Sequence, residues 1–508
     1  MGMGCCPMPS VFQQPNCLLS QECLSLITKI FLFQTRERKK HEYAVANRNM
    51  STKKQLKLGA FLPGSGHHVA AWRHPNTPAD GGLNFQHYKQ LAQTAERGKF
   101  DMLFLADGLA VWDRGQGTEA FSRSGQFSVH FEPLTLLSAL SAVTENIGLV
   151  ATSSTTYDEP YHLARKFASL DYLSGGRAGW NLVTSAAEAA AQNFSQENHL
   201  EHSLRYERAR EFVDVVTKLW DSWEDDAFLH DKESGIYFDA EKLHIPHHKG
   251  KYFSVRGPLN VARPPQGYPV IVQAGSSEPG QDLAAQTAEV IFTAQQTLPE
   301  AQAFYAIVKG RLAQYGRSPD HLKIMPGVFP VIGKTEQEAK DKYEQLQELI
   351  HPLVGLGLLS GLVGGHDLSK YPLDGPLPDL PDTNGGKSRL QLITDLARRE
   401  NLTIRQLYLW IAGARGHRTI LGTPEHIADQ LEDWFVNGGA DGFNIMPPWL
   451  PGGLEEFVDL VIPELQRRGI FRTEYEGSTL RENLGLPRPV NQFTTNTAPE
   501  PVSVGSFA

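Results

Sequence analysis

The sequence predicts an α/β protein, a parallel (β/α)8 barrel with insertions. Three observations carry this. About eight short apolar runs alternate with amphipathic helical stretches over roughly 400 residues. Polar residues and glycines gather where those runs end, which is where barrels collect their chemistry. Residues 147–185 read as one complete βαβ unit. An open doubly wound sheet shares the alternation, and strand order cannot be read from one sequence, so that topology stands as the alternative.

Leu56 to Leu62 is the first expected strand, running into the loop Pro63-Gly-Ser-Gly-His-His68. Asn84 to Arg97 is an amphipathic helix stopped by Gly98, and Phe100 to Ala106 is a strand ending at Asp107-Gly108. Pro133 to Thr144 is helical. Ile147 to Ala151 has no charge, as a strand buried on both faces requires, and Thr152 to Thr156 follow with five hydroxyls. Pro160 opens a helix with Leu163, Phe167, Leu170 and Leu173 on one face, ended by Ser174-Gly-Gly176. Ala178 to Val183 is the next strand. Leu204 to Trp223 is a long helix, followed by a polar insertion to about Pro265. Tyr268 to Ala274, Glu289 to Thr293 and Leu322 to Ile332 are strands; Pro279 to Thr287 and Pro299 to Tyr315 are the helices between them. Residues 335 to about 420 break the rhythm and are too long for a connection, so they read as an insertion with the character of a lid. Helix Pro424 to Asn437, strand Asp441 to Met446 and helix Leu454 to Arg468 restore it. The expected organisation is a disordered extension over 1–50, a barrel over 51–470 and a surface-wrapping tail over 471–508.

The chain has 508 residues and a formal net charge of -9 without a basic stripe, which argues against nucleic acid. All cysteines (Cys5, Cys6, Cys17, Cys23) lie near the N-terminus, so the barrel uses neither disulfides nor thiolate-bound metal. Leu24 to Phe33 is too short to span a bilayer, and its positive charge follows the apolar run rather than preceding it, unlike a secretory signal. A cytoplasmic protein is expected, with a mitochondrial presequence as the weaker alternative. No G-x-G-x-x-G opens a helix after a strand, so no nicotinamide domain is expected. Gly385-Gly-Lys-Ser388 lacks the first glycine of a phosphate loop, and no G-x-S-x-G occurs. His244, His247 and His248 lack a carboxylate at ligand spacing and read as solvated; no metal is expected.

The candidate site residues are His67 after the first strand, Asp107 after the second, Thr152 after the third, and Ser276 and Ser277 after the strand ending at Ala274. His202 and Tyr206 join them, one helical turn apart. Hydroxyls, a Gly-Ser-Ser turn and a histidine suit a phosphate. Each residue alone is more readily a helix cap or turn anchor; their shared placement at one rim favours a site. A barrel hydrolase using Asp107 with Glu132, or Asp158 with Glu159, is a rival reading.

Ordered segments make the chain similar to a known family. They are Ala71-Trp-Arg-His74, Glu96-Arg-Gly-Lys-Phe-Asp101, Phe104-Leu-Ala-Asp-Gly108, Glu132-Pro133, Tyr161-His-Leu-Ala-Arg165, Leu170-Asp-Tyr-Leu-Ser-Gly-Gly-Arg177, Trp180-Asn-Leu-Val-Thr-Ser185, Gln273-Ala-Gly-Ser-Ser277, Gly439-Ala-Asp-Gly-Phe443 and Phe471-Arg-Thr-Glu-Tyr475. The chain resembles the flavin-dependent monooxygenases of the bacterial luciferase-like superfamily, in the branch of nitrilotriacetate and dibenzothiophene-sulfone monooxygenases. The resemblance implies a luciferase-like barrel that takes FMN as FMNH2 from a separate NAD(P)H:FMN reductase. It further implies use of O2 to cleave a C–S or C–N bond in a small molecule, and a homodimer or homotetramer. Carried over by residue, it implies FMN contacts at Asp107, Thr152, His202, Tyr206, Ser276 and Ser277, and a catalytic histidine on the substrate side at His67. The sequence departs from the sulfone branch around Gly361 to His366. A deazaflavin-dependent reductase on the same barrel and a non-catalytic flavin-binding protein are the other readings.

Overall fold

The computed structural model describes residues 54–111, 117–125, 129–185, 187–381 and 387–494. The expected extension over 1–50, its cysteines and the presequence alternative lie outside them, as do Gly385 and Gly386. Among the described residues no helix is long and apolar enough to cross a membrane.

Eight parallel strands close into a ring: β1 (Lys57–Phe61), β2 (Met102–Leu105), β3 (Gly148–Ser154), β4 (Ala178–Val183), β5 (Val270–Gln273), β6 (Val290–Thr293), β7 (Lys323–Ile332) and β8 (Gly442–Ile445). Each pairs with the next, and β8 returns to β1. The barrel alternative is therefore the one adopted, and each strand except β3, which runs on past Ala151, falls within a stretch the apolar runs marked. In a ring of this order β1 and β5 stand on opposite sides of the mouth.

The helices that matter for the site are α1 (Phe85–Arg97), α2 (Pro133–Ser141), α3 (Pro160–Leu173), α4 (His202–Trp220) and α5 (Glu278–Thr287). Their starts follow local chemistry. Asn84 accepts from the His87 N–H ahead of α1, Pro160 opens α3, and Ser277 accepts from the Gly280 N–H at α5. Between β7 and β8 come α6 (Glu336–Glu348), α7 (Pro352–Leu362), α8 (Lys387–Arg399) and α9 (Ile404–Ala414). α7 and α9 share a buried cluster built on Val354, Leu358, Leu359, Leu407 and Ile411.

Three local readings change. The stretch Thr152 to Ser154 is strand, not loop, because β3 continues its ladder with Asn181 to Val183 of β4. Arg418–Gly422 is a further strand, paired with the last residues of β7 outside the ring. The polar insertion holds a short antiparallel pair, His248–Lys249 with Ser254–Val255; His247 is exposed as expected, but His244 and His248 are pinned rather than solvated. His244 bonds Glu224 at 2.9 Å and His248 bonds Glu211 at 3.1 Å. Among the described residues no group of three metal-ligating side chains occurs.

The interior is filled by Met102, Phe104, Val150, Val272, Phe292 and their neighbours, with Phe61 edge-on to Phe104 at 5.0 Å and to Phe292 at 5.5 Å. Gly59 leaves room for the Asn444 side chain, since a Cβ there would stand 1.9 Å from its Oδ1. The C-terminal segment secures the opposite end: Leu480 packs where Gly148 and Gly179 leave space at the starts of β3 and β4. Arg472 pairs with Asp101 and donates to the Asn483 carbonyl at 2.8 Å.

His68, fully buried, links the barrel to α6. Its Nδ1 accepts the Ala70 N–H at 3.2 Å, so Nε2–H donates to Gln347 at 3.3 Å. Burial pushes its pKa down to about 4. The unfolded chain binds this proton near the ordinary value, so stability present at neutral pH is lost as pH falls from about 6.5 toward about 4, by about 1.4 kcal/mol per pH unit. Urea unfolding between pH 7 and pH 5 should show this acid slope, and His68→Asn should flatten it by about one proton.

Candidate active site

A cavity of about 490 Å³ opens at the carboxyl ends of the strands, within the range that holds drug- and cofactor-sized ligands. Its wall is largely apolar. Asp107 comes from the end of β2, Ser185 from beyond β4, Gly275 from beyond β5, and Tyr206 from α4. Leu358 and Leu362 of α7 reach it from the insertion.

Two of the expected residues, Asp107 and Tyr206, line this cavity, and Ser276 and Ser277 flank it through the turn after β5. The Tyr206 hydroxyl sits in a notch between Gly275 and Gly280. A Cβ on Gly280 would come to 2.9 Å of that oxygen, and one on Gly275 to 3.3 Å. Ser277 Oγ lies 3.5 Å from the same hydroxyl, and Ser276 Oγ lies 3.4 Å from Thr293 Oγ1. The first turn of α5 adds backbone N–H groups and the positive end of the helix dipole. The His202 ring lies 4.9 Å from that of Tyr206, tilted by 57°. A helix N-terminus, hydroxyls and an imidazole are thus gathered at one edge of the cavity, the kinds of group that suit an anion. On the other wall, Asp107 bonds His130 at 3.0 Å and its own Gly108 N–H at 2.9 Å.

Thr152 is placed differently from the expectation. Its hydroxyl donates to the Leu105 carbonyl at 2.7 Å and accepts from Asn181 at 2.8 Å, joining β2, β3 and β4, and it is not part of the cavity wall. A buried strand hydroxyl must find partners, and these two consume it.

His67 is wholly buried beside β1, its ring edge-on to Phe61 at 4.4 Å. The Phe61 carbonyl can only accept, so Nε2 carries the proton and donates to it at 2.9 Å. Nδ1 then accepts from Arg415 at 2.6 Å. Burial, and next the Arg415 charge, hold the imidazole well below its ordinary pKa, so it is neutral. With both nitrogens bonded, His67 orients Arg415, and it is Arg415 that lines the cavity.

Arg415 and His417 were missed in the sequence because the segment before about 420 reads as an insertion. The one local signal was Arg-Gly-His directly after a helix. His417 stacks on Phe292 at 4.8 Å and also lines the cavity. Arg205, one residue before Tyr206 and buried, donates to the Ser185 carbonyl at 2.6 Å and to His199, which bonds Tyr157 at 2.5 Å. That network fixes the start of α4.

Asp107, Glu132 and Asp158 of the hydrolase rival have structural partners. Glu132 caps α2 by accepting from the Leu134 and Thr135 N–H groups at 2.9 and 2.7 Å. Asp158 accepts from Ser153 Oγ at 2.9 Å and the Ser154 N–H at 3.0 Å.

Comparison with known proteins matches this architecture. Residues 65–442 fit the model of the luciferase-like monooxygenase family. The chain is 59% identical to N-acetyl-S-(2-succino)cysteine monooxygenase of Bacillus subtilis (strain 168), over 87% of this chain and 99% of that one. It is 56% identical to nitrilotriacetate monooxygenase component A of Aminobacter aminovorans, with the same coverage of 87% and 99%. A riboflavin lyase solved with modified FMN and riboflavin superposes with a TM-score of 0.78 at 33% identity, over 86% of this chain and 97% of that one. The chain therefore belongs to the luciferase-like monooxygenase family, and it is a flavin-dependent monooxygenase.

Proposed function

We propose that the chain is the oxygenase of a two-component system, binding FMN that a separate NAD(P)H:FMN reductase has reduced. It uses O2 to break a C–S or C–N bond in a small organic substrate of the sulfone, sulfonate or aminopolycarboxylate kind. The observation that carries this is the notch at Gly275, Gly280 and Tyr206. There the Tyr206 hydroxyl, the Gly-Ser-Ser turn and the first turn of α5 come together at the edge of a largely apolar cavity, and two residues without side chains leave the backbone N–H groups uncovered. The lack of a dinucleotide fingerprint supports a separate reductase, and so does the name "component A" carried by the Aminobacter relative.

Reduced FMN supplies the electrons and the activation of O2. Tyr206, Ser276, Ser277 and the start of α5 would hold its phosphate, and His202 stands beside Tyr206 to support that grip. Asp107, fixed by His130, faces the cavity as a hydrogen-bond acceptor for the ribityl chain or ring. Thr152 acts one step back, holding the ends of β2 to β4 in register. Leu358 and Leu362 on α7 would close over the site and exclude water, which is the lid role of the insertion. For an amine or thioether substrate the sum balances simply. One oxygen atom enters a C–H bond beside the heteroatom, the other leaves as water, and the carbinol collapses to an amine or thiol and a carbonyl compound.

The test is substrate loss with a supplied FMN reductase, NADH and O2, reading aldehyde, thiol or sulfite release across the three substrate classes. No O2-dependent turnover of any class would sink the reading. His67→Ala should lower turnover by about 100-fold or more, because it releases Arg415, while FMN affinity stays within about threefold. Unchanged turnover in that variant would remove His67 from the reaction.

A further inference from the structure

Arg415 follows the last residue of α9 with φ 51° and ψ 36°, in the left-handed region. That position at a helix end usually belongs to glycine, and a side chain there costs about 1 kcal/mol. A glycine is available one residue later, at Gly416, yet the helix ends on an arginine. The side chain is therefore the reason for the residue. Among its contacts, the guanidinium donates to His67 Nδ1 at 2.6 Å and lies 5.8 Å from the centre of the Phe61 ring. It faces the main cavity and also a smaller recess of about 70 Å³ formed by Phe61 to Gly66 and Val129 to Phe131. Among the described residues lining the main cavity it is the one with a permanent positive charge. Its anchors, Phe61 and His67, belong to the β1 side of the mouth; the phosphate notch belongs to β5, on the opposite side.

We propose that Arg415 selects the substrate by charge. It receives a carboxylate or sulfonate of the substrate, so the enzyme acts on anionic amines or thioethers in preference to neutral sulfones. This rests on the oxygenase reading above and narrows its substrate class. A guanidinium presents parallel N–H donors that match an oxyanion with two oxygens, and a neutral His67 holds that fork without competing for the anion. Phe61 provides a flat apolar seat beneath it. The oxyanion would tether one end of the substrate and bring the adjacent C–H bond over the centre of the cavity.

The experiment titrates the FMN-loaded protein with N-acetyl-S-(2-succino)cysteine, its methyl esters, methanesulfonate and dibenzothiophene sulfone. The protein is used as wild type, Arg415→Met and Arg415→Lys. Wild type should bind the free acid at least about 100-fold more tightly than the esters or the sulfone. Arg415→Met should remove that difference, Arg415→Lys should keep part of it, and FMN affinity should change by less than about threefold in both. Methanesulfonate competing with the free acid would show a general oxyanion subsite; failure to compete would confine the site to carboxylates. An anaerobic titration in which Arg415→Met weakens reduced FMN but not oxidised FMN, with acid binding unchanged, would overturn the proposal and assign the arginine to the flavin ring. Equal binding of acid and ester by wild type would overturn it too, while leaving the FMN reading intact. Failure of FMN itself to bind would sink that reading instead. If Arg415→Met does not fold, the wild-type comparison of acid with ester and the Arg415→Lys variant still decide the matter.

Discussion

Gly275→Val is expected to abolish measurable FMN binding while leaving the barrel folded. Gly275 has no positive φ, so valine meets no backbone strain there. The obstruction is spatial. A Cβ on Gly275 would lie 3.1 Å from the Gly280 Cα and 3.3 Å from the Tyr206 hydroxyl, so a valine, with two methyls more, must push these groups apart. The phosphate would then lose the Tyr206 hydroxyl and the first-turn N–H groups of α5 together. Charge-assisted hydrogen bonds contribute about 1.5–3 kcal/mol each, so a loss of more than about 100-fold in affinity is expected. Fluorescence titration with FMN checks it, with circular dichroism to confirm the fold. Gly275→Ala should fall between, because the neighbours need give way by only a few tenths of an ångström.

Asp101→Ala is expected to have the largest effect on stability, at about 3–5 kcal/mol. Asp101 is wholly buried. One oxygen accepts the Leu58 N–H at 2.7 Å, and the other pairs with Arg472, itself buried. The substitution leaves a buried guanidinium without its counter-ion and a backbone N–H at β1 without its acceptor. It also loosens the C-terminal segment that brings Leu480 against the starts of β3 and β4. Arg472→Met should cost a similar amount. The double variant should lose clearly less than the sum of the two, since the penalty of each single change is the stranded partner. Urea unfolding of the three variants measures it; strict additivity would show that the two groups do not work as a pair.

The ring was legible because strands covered on both faces read as continuous apolar runs. Val270 to Gln273 and Val290 to Thr293 need no alternation to be recognised. Asp107 and Tyr206 were legible for another reason. Asp107 directly follows an apolar run, and Tyr206 stands one turn after His202 at the start of a helix, so each was marked by its own local context. What failed was long-range. His67 and Arg415 are 348 residues apart, and nothing near either announces the other. The strand Arg418–Gly422 is short and opens with a charge, so its pairing with β7 comes from tertiary contact and not from pattern. Thr152 carries the right chemistry for a ligand contact, but its partners Leu105 and Asn181 lie on neighbouring strands, and strand neighbours are a property of topology.

The central claim is that a notch between one turn and one helix start grips the phosphate of a borrowed cofactor. Comparing the affinities of the purified protein for FMN and for riboflavin, which differ only in that phosphate, tests it most directly. The account predicts FMN tighter by at least about 100-fold, with most of the gap lost in Tyr206→Phe. Equal affinities, or a gap untouched by that variant, would contradict it.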